Sequence, residues 1–383
     1  MIVRRDMVVL AAGGTGGHLF PAEALARELR DRGYGLALVT DRRGGGIEGL
    51  LGEIDIHRIH AAALSGRGVL RKAGALGQLG LGTLEASRLM RTLRPVVVVG
   101  FGGYASVPTM LAASRHGAAT VIHEQNAILG RANRLLSARA DKIATSFEAV
   151  AGISPALAPK VTRTGNPVRA AIAALGDEPY PTLAADGPLS LLVIGGSQGA
   201  HVFSTVVPAA IALLPAPLRA RLRVTQQCRE HTLAETRAAY RSLGVEAELA
   251  TFFAEMPARL ARAQLLICRA GASTLAEITA AGRPAMLAPY PFATDNHQTL
   301  NARALADAGG GWLMPNASFT AETVAHRLQA LFAHPQSLAA AARASRALGE
   351  PDAAKRLADM VIELAPANGG DGEAAPVARE AAE

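Results

Sequence analysis

At 383 residues the chain exceeds what one hydrophobic core organises, so two domains are expected. A composition that is 50% hydrophobic but only 4% aromatic favours helices close-packed on parallel strands over a β-sandwich. The balance of 39 Lys plus Arg against 32 Asp plus Glu, +7 in all, suits an anionic substrate or membrane surface as well as nucleic acid, and Cys228 and Cys268 lie too far apart to indicate a disulfide framework or a zinc site.

Arg4 and Arg5 followed by the apolar run 7–12 look superficially like a short signal peptide, but glycine from Gly13 onward ends the run and makes it a strand. Further buried-strand runs follow at 36–40, 96–100, 120–123 and 142–145, alternating with helical patterns such as 21–32. The uncharged stretch 95–114 is interrupted by Pro95, Pro108 and several glycines, so no transmembrane span is expected. A second series lies at 189–194, 222–226, 248–252, 265–268 and 285–288, which makes the fold class α/β with two similar halves. Regular alternation breaks between them at Thr164-Gly165-Asn166-Pro167 and again over 176–188. This places a domain of 1–165 before one of 166–350. Pattern alone lets the last helix, within 351–365, pack on either domain, and the expectation adopted is the N-terminal one. Residues 366–383 have no apolar periodicity and are expected to be a disordered tail.

Gly13-Gly14-Thr15-Gly16-Gly17-His18 follows a strand and opens a helix, a setting in which glycines let an oxygen-rich anion approach backbone N–H groups. It matches neither the dinucleotide fingerprint nor the P-loop. A helix N-terminus disfavours imidazolium, so His18 is the candidate base. The second half repeats the logic at Gly195-Gly196-Ser197-Gln198-Gly199, where His201 reads as a surface or capping residue. After the strand ending at Cys268, Thr274 and Glu277 fit either a capping box or a carboxylate that accepts two ribose hydroxyls. No Asp-x-Asp occurs, so a diphosphate leaving group would rely on N–H groups, hydroxyls and Arg169.

Those loops, together with Gly100-Phe101-Gly102-Gly103-Tyr104, His123-Glu124-Gln125-Asn126, Gly165-Asn166-Pro167-Val168-Arg169 and Asp295-Asn296-His297-Gln298-Thr299, resemble the MurG family of N-acetylglucosaminyltransferases. The resemblance runs from about residue 8 to about 310. It implies a GT-B fold, two Rossmann-like domains with parallel sheets facing a central cleft. It also implies inverting, metal-independent and cofactor-free transfer from UDP-GlcNAc to the C4 hydroxyl of the lipid I sugar, giving lipid II. Carried over residue by residue, His18 and Glu124 are catalytic, and Thr15, Gly16, Gly17 and Asn126 approach the donor sugar and diphosphate. Arg169 and Ser197 contact uridine or phosphate, while Phe253, Ala272, Ser273, Thr274, Leu275, Ala276 and Glu277 surround uracil and ribose. Gln298 reads sugar hydroxyls, and Gly102, Gly103 and Tyr104 form the acceptor loop. The chain departs from the family pattern at Ala105-Ser106-Val107-Pro108, where many relatives have a further glycine, and at His297, which replaces a second glutamine.

The same resemblance implies a peripheral enzyme on the cytoplasmic face of the inner membrane, with cell-wall synthesis and division proteins as partners. Arg67, Arg71, Lys72, Arg88, Arg91 and Arg94, interleaved with leucines, would meet the anionic leaflet. An ordinary amphipathic helix is the competing reading, and Gly74, Gly77, Gly80 and Gly82 count against one continuous helix. A sugar-nucleotide 2-epimerase is the alternative enzyme. A nucleic-acid module is disfavoured, because no basic stretch is studded with aromatics.

Overall fold

The computed structural model describes residues 6–14, 16–42, 49–62, 69–184, 186–196 and 199–365, the side chains of 69–73 excepted. The expectations for Thr15, Ser197, Arg67 and the tail 366–383 lie outside the described residues, as do those for the side chains of Arg71 and Lys72. The first sheet contains β1 (Met7–Ala11), β2 (Gly35–Asp41), β3 (Asp55–Ile59), β4 (Val97–Gly100), β5 (Ala119–Glu124), β6 (Lys142–Thr145) and β7 (Val161–Arg163). All its pairings are parallel, in the order β3-β2-β1-β4-β5-β6-β7. The second contains β8 (Leu189–Ile194), β9 (Leu222–Gln227), β10 (Glu246–Ala250), β11 (Leu265–Cys268), β12 (Ala285–Leu287) and β13 (Gly311–Leu313), also parallel, in the order β10-β9-β8-β11-β12-β13.

In each sheet the order reverses beside the first strand, between β1 and β4 and between β8 and β11. A crevice opens at the carboxyl ends of the strands at such a switch point. Central strands such as β4 and β11 are buried along their whole length, which is why they read as unbroken apolar runs. Apolar clusters cover both faces of both sheets.

The chain leaves the first sheet after β7 and turns at Gly165 (φ +84°), where an added Cβ would lie 2.7 Å from Glu350 Cβ and 2.9 Å from Ala353 Cβ. Only glycine suits that conformation and that approach. The chain returns beside this point: Arg163 pairs with Glu350 at 2.8 Å, and Arg356 donates to the Thr164 carbonyl at 3.0 Å. The last helix, Ala353–Leu364, then buries Leu357, Ala358, Met360 and Val361 in the first domain's core beside Val8, Leu10 and Leu25.

The stretch Val69–Leu93 is one helix despite its four glycines. Gly82 has a packing reason, because a Cβ there would lie 1.9 Å from the His60 carbonyl oxygen. Glu85, one turn on, accepts from both the N–H and Nδ1 of His60, at 2.7 and 2.8 Å. Arg283 is fully buried in the second domain and donates to the carbonyls of Leu260, Ala261 and Ala281, closing the ends of two helices.

Candidate active site

The N-terminal wall grows from the ends of β1, β4 and β5. Gly13 donates its N–H to the Gly102 carbonyl at 3.3 Å, and a Cβ on Gly103 would lie 3.0 Å from Gly13 Cα, so the two loops touch backbone to backbone. Gly102 and Gly103 take φ of +87° and +76°, open to glycine at no steric cost. His18 stands on the first turn of the helix Gly16–Asp31, and its ring lies against this paired backbone. A Cβ added to Gly102 would come within 3.4 Å of Nε2, and one added to Gly13 within 3.2 Å of Nδ1. Burial pushes the imidazole down to about 4, against the opposing pull of the Asp41 carboxylate, so the ring is neutral at pH 7.

Ser106 lies in the segment expected to depart from the family pattern. It begins the helix Ser106–Arg115 and donates its hydroxyl to the Gly103 carbonyl at 2.8 Å, which pins the loop 102–104.

The His-Glu-Gln-Asn segment at the end of β5 is a closed network. Glu124 is buried, and its carboxylate accepts from the Asn126 N–H (3.0 Å), Asn126 Nδ2 (3.3 Å), the Gly130 N–H (2.8 Å) and Asn133 Nδ2 (2.9 Å). Four donors on two oxygens fill the lone pairs of the carboxylate, so Glu124 organises the 126–133 turn. His123 is fully buried. It accepts from Gln125 Nε2 at 3.1 Å and donates from Nε2 to the Gly165 carbonyl at 3.0 Å, and burial holds it down at about 4. Gln125 Nε2 also donates to the Phe101 carbonyl at 2.9 Å, so one relay links the domain crossing to the loop that follows β4.

The C-terminal wall begins at the end of β8. Gly195 approaches the backbone of Gly199 and Ala200 so closely that a Cβ would lie 2.2 Å from the Ala200 nitrogen, and Gly196 takes φ +84°. His201 is exposed at the start of its helix, stacked on His231 with ring centroids 6.1 Å apart. After β11 the helix Ala272–Ala280 starts from Gly271, with no side-chain cap. Thr274 therefore sits inside the first turn rather than at the cap, and the capping-box reading of Thr274 and Glu277 is excluded. Glu277 pairs instead with Arg169 at 2.9 Å. Burial raises its carboxyl while Arg169 pulls it back toward the ionised form. The Arg169 guanidinium also lies 5.4 Å from the centre of the Phe20 ring.

Gln298 accepts through Oε1 from the N–H groups of Ala270 (3.2 Å) and Tyr290 (2.9 Å), which commits its acceptor and leaves the Nε2 donors for a ligand oxygen. Phe253 is buried beneath the Arg259 guanidinium at 4.4 Å, so its ring offers no free face for uracil and only its main chain can serve a base. Exposed Phe252 was not anticipated there.

The walls meet. Ser273 Oγ donates to the Gly17 carbonyl at 3.3 Å, Arg131 pairs with Asp295 at 3.0 Å, and Asn301 reaches Asn126 and Ala127. A cavity of about 190 Å³ between them is lined by His18, Gly102 to Tyr104 and Asn126 on one side and by Thr294, Asp295 and His297 on the other. Sequence patterns missed Asn133, Arg131 and Asn301, polar residues on helices whose spacing carries no signal of their partners.

The family models described as the glycosyltransferase family 28 N-terminal and C-terminal domains match residues 8–145 and 190–357, one for each wall. The chain belongs to the MurG family within glycosyltransferase family 28. It is 54% identical, over 97% of its length and 100% of the relative's, to a UDP-N-acetylglucosamine–N-acetylmuramyl-(pentapeptide) pyrophosphoryl-undecaprenol N-acetylglucosamine transferase of Paramagnetospirillum magneticum. A protein of the same name from Rhodospirillum centenum is 56% identical over 94% of both chains. Among solved structures, Acinetobacter baumannii MurG superposes with a TM-score of 0.74 at 29% identity, covering 94% of this chain and 99% of that one. The architecture is accordingly the GT-B fold of MurG-family enzymes. A putative UDP-N-acetylglucosamine 2-epimerase from Listeria monocytogenes, at a TM-score of 0.62 and 14% identity, shares the fold alone.

Proposed function

We propose that this chain transfers GlcNAc with inversion from UDP-GlcNAc to the C4 hydroxyl of the MurNAc-pentapeptide on undecaprenyl diphosphate, forming lipid II. The observation that carries the reading is the division of chemistry across one cleft. A neutral imidazole, His18, stands on one wall, and hydroxyl-reading groups, Glu277 and Gln298, stand on the other.

In this reading the acceptor hydroxyl enters past Gly102, Gly103 and Tyr104 and gives its proton to His18 as its oxygen attacks the anomeric carbon. UDP departs on the opposite face, its diphosphate charge met by backbone N–H groups at Gly16 and Gly17 and at the start of the helix His201–Ala212, with Thr15, Ser197 and Arg169 adding donors. Glu277 accepts from the ribose hydroxyls, the main chain of Phe253 and the 272–276 turn enclose the base, and Gln298 donates to a sugar oxygen. Asn126, held by Glu124, faces the transferred sugar.

The acceptor's lipid tail brings the site to the cytoplasmic face of the inner membrane. Among the described residues no helix is long and apolar enough to span a bilayer. The helix Val69–Leu93 exposes Leu76, Leu81 and Leu84 on the same helix as exposed Arg88 and Arg91, which suits shallow docking on anionic lipid. Cell-wall synthesis and division proteins are the partners this location favours.

The test is product analysis with UDP-GlcNAc, with and without a lipid I analogue. Acceptor-dependent release of UDP together with a disaccharide product supports transfer, whereas acceptor-independent epimerised sugar overturns it in favour of the epimerase. Membrane docking is tested by sedimentation with anionic and neutral vesicles, comparing wild type with the combined Arg67→Glu, Arg71→Glu and Lys72→Glu variant. Equal, salt-insensitive binding by both proteins removes this surface.

A further inference from the structure

Asn301 lies in the helix His297–Asp307 of the C-terminal domain and is fully buried. Its carboxamide faces both domains at once. Oδ1 accepts from the Ala127 N–H at 2.8 Å, while Nδ2 donates to Asn126 Oδ1 at 3.0 Å and to the Ala270 carbonyl at 3.1 Å. Both amide hydrogens are thereby used, one on each side of the cleft. Ala270 is gripped a second time, since its own N–H donates to Gln298, three residues before Asn301 on the same helix. One helix end thus reads the residue that opens the nucleotide loop and, through the next turn, the N-terminal residue expected to face the sugar.

A second link across the cleft, beside the Ser273 contact to Gly17, is of a different kind. Arg131 and Asp295 pair at 3.0 Å, with side chains 55% and 30% exposed, on a turn where Asp295 and Asn296 hold φ of +52° and +53°. Exposed pairs contribute little and are screened by salt. Buried carboxamide bonds that leave unsatisfied groups when broken are the stronger constraint.

We infer that Asn301 is a positioning residue that sets Asn126 against the donor bound in the C-terminal domain, coupling nucleotide occupancy to the geometry of the transferred sugar. This rests on the reading of Asn126 as a donor-sugar contact. Asn301 touches no reacting atom. Its loss acts through Asn126, because Glu124 fixes only the Nδ2 side of that carboxamide and the Oδ1 side is fixed by Asn301. A misplacement of about 1 Å at a reacting group costs on the order of 100-fold in rate.

The experiment is a double-mutant cycle on the full chain with Asn301→Ala and Asn126→Ala, reading kcat, KM for UDP-GlcNAc and direct UDP binding. Asn301→Ala is expected to lower kcat by about 30-fold to 100-fold while the UDP dissociation constant stays within about threefold, and the double variant is expected to be no slower than Asn126→Ala alone. Losses that multiply in the double variant, or UDP affinity that falls in step with kcat, overturn the inference and leave the donor reading standing. An unchanged kcat in Asn126→Ala overturns that reading and the inference with it. Should Asn301→Ala not fold, Asn301→Ser carries the same cycle, since its smaller side chain cannot span both domains.

Discussion

A base whose conjugate acid lies near 4 should leave its mark on the pH dependence of transfer. With His18 held at about 4, about 90% of it is still neutral at pH 5, whereas an unperturbed histidine at 6.5 would be about 3% neutral there. The base must be unprotonated to act, so activity is present above the folded pKa and lost as pH falls through it. The acid limb of kcat/KM, which reports the free enzyme, is therefore expected near pH 4. The rate at pH 5 should be about 0.9 of that at pH 7, against about 0.04 for an unperturbed ring. The assay is initial-rate UDP release with a soluble acceptor analogue between pH 4 and 8, each point bracketed by return to pH 7 to exclude unfolding. His18→Ala, which should lose roughly 10² to 10⁴ in kcat while binding UDP normally, gives the control. An acid limb near 6.5 in wild type, or near-normal turnover in folded His18→Ala, would refute the reasoning.

Glu277→Ala should weaken UDP binding by at least tenfold in calorimetry, because the ribose then lacks a buried acceptor and Arg169 loses its partner at 2.9 Å. Gln298→Ala should spare UDP and relax discrimination between UDP-GlcNAc and its C4 epimer; unchanged selectivity with weaker UDP would move Gln298 to the nucleotide. His123 is lowered from 6.5 to about 4 by burial, so the unfolded chain binds more protons in that window and stability is lost as pH falls from 6.5 to 4, by about 3 kcal/mol in full. Denaturant titrations should show a slope between pH 6.5 and 4 that is reduced in His123→Asn, and equal slopes would exclude His123 as its source. Leu357→Ala should cost the N-terminal domain about 2–5 kcal/mol, read from its denaturation midpoint, although residue 357 is remote in sequence from that core.

What the sequence made legible follows the physics of burial. Strands enclosed on both faces, such as β4 with Val97, Val98 and Val99 all buried, read as apolar runs and were located within a residue or two. Three of the four edge strands, β3, β7 and β13, did not. β3, Asp55–Ile59, carries exposed Asp55 and Arg58, while β7 and β13 are three residues long and, unlike the equally short β12, only partly buried. The glycine loops announced the two switch points because their conformations admit little else. Long-range polar contacts were silent: that Glu277 answers Arg169 rather than Thr274, or that Asn301 meets Asn126 across 175 positions, depends on the packing of two domains and leaves no local pattern. Glycines in the helix Val69–Leu93 misled for the opposite reason, since propensity counts Gly82 as a breaker where tertiary contact with His60 demands it.

Two halves of like topology carry opposite chemistry, His18 on the helix after β1 and Glu277 on the helix after β11, and burial alone does not explain the difference. Desolvation disfavours whichever form is charged, so it lowers His18 and raises Glu277, moving both groups toward neutrality. At His18 the remaining influence is the Asp41 carboxylate, too weak to reverse the shift, and the ring stays a neutral acceptor of protons. At Glu277 the Arg169 guanidinium opposes burial from hydrogen-bond distance and draws the group back toward the ion that the proposed ribose contact requires. On the proposed roles, base and anchor are thus separated by which buried group was given a close countercharge. Arg169→Ala should then raise the Glu277 carboxyl further and weaken UDP most at low pH, where Glu277 begins to protonate. An affinity loss in Arg169→Ala that is flat from pH 5 to 8 would assign Arg169 to direct nucleotide contact alone.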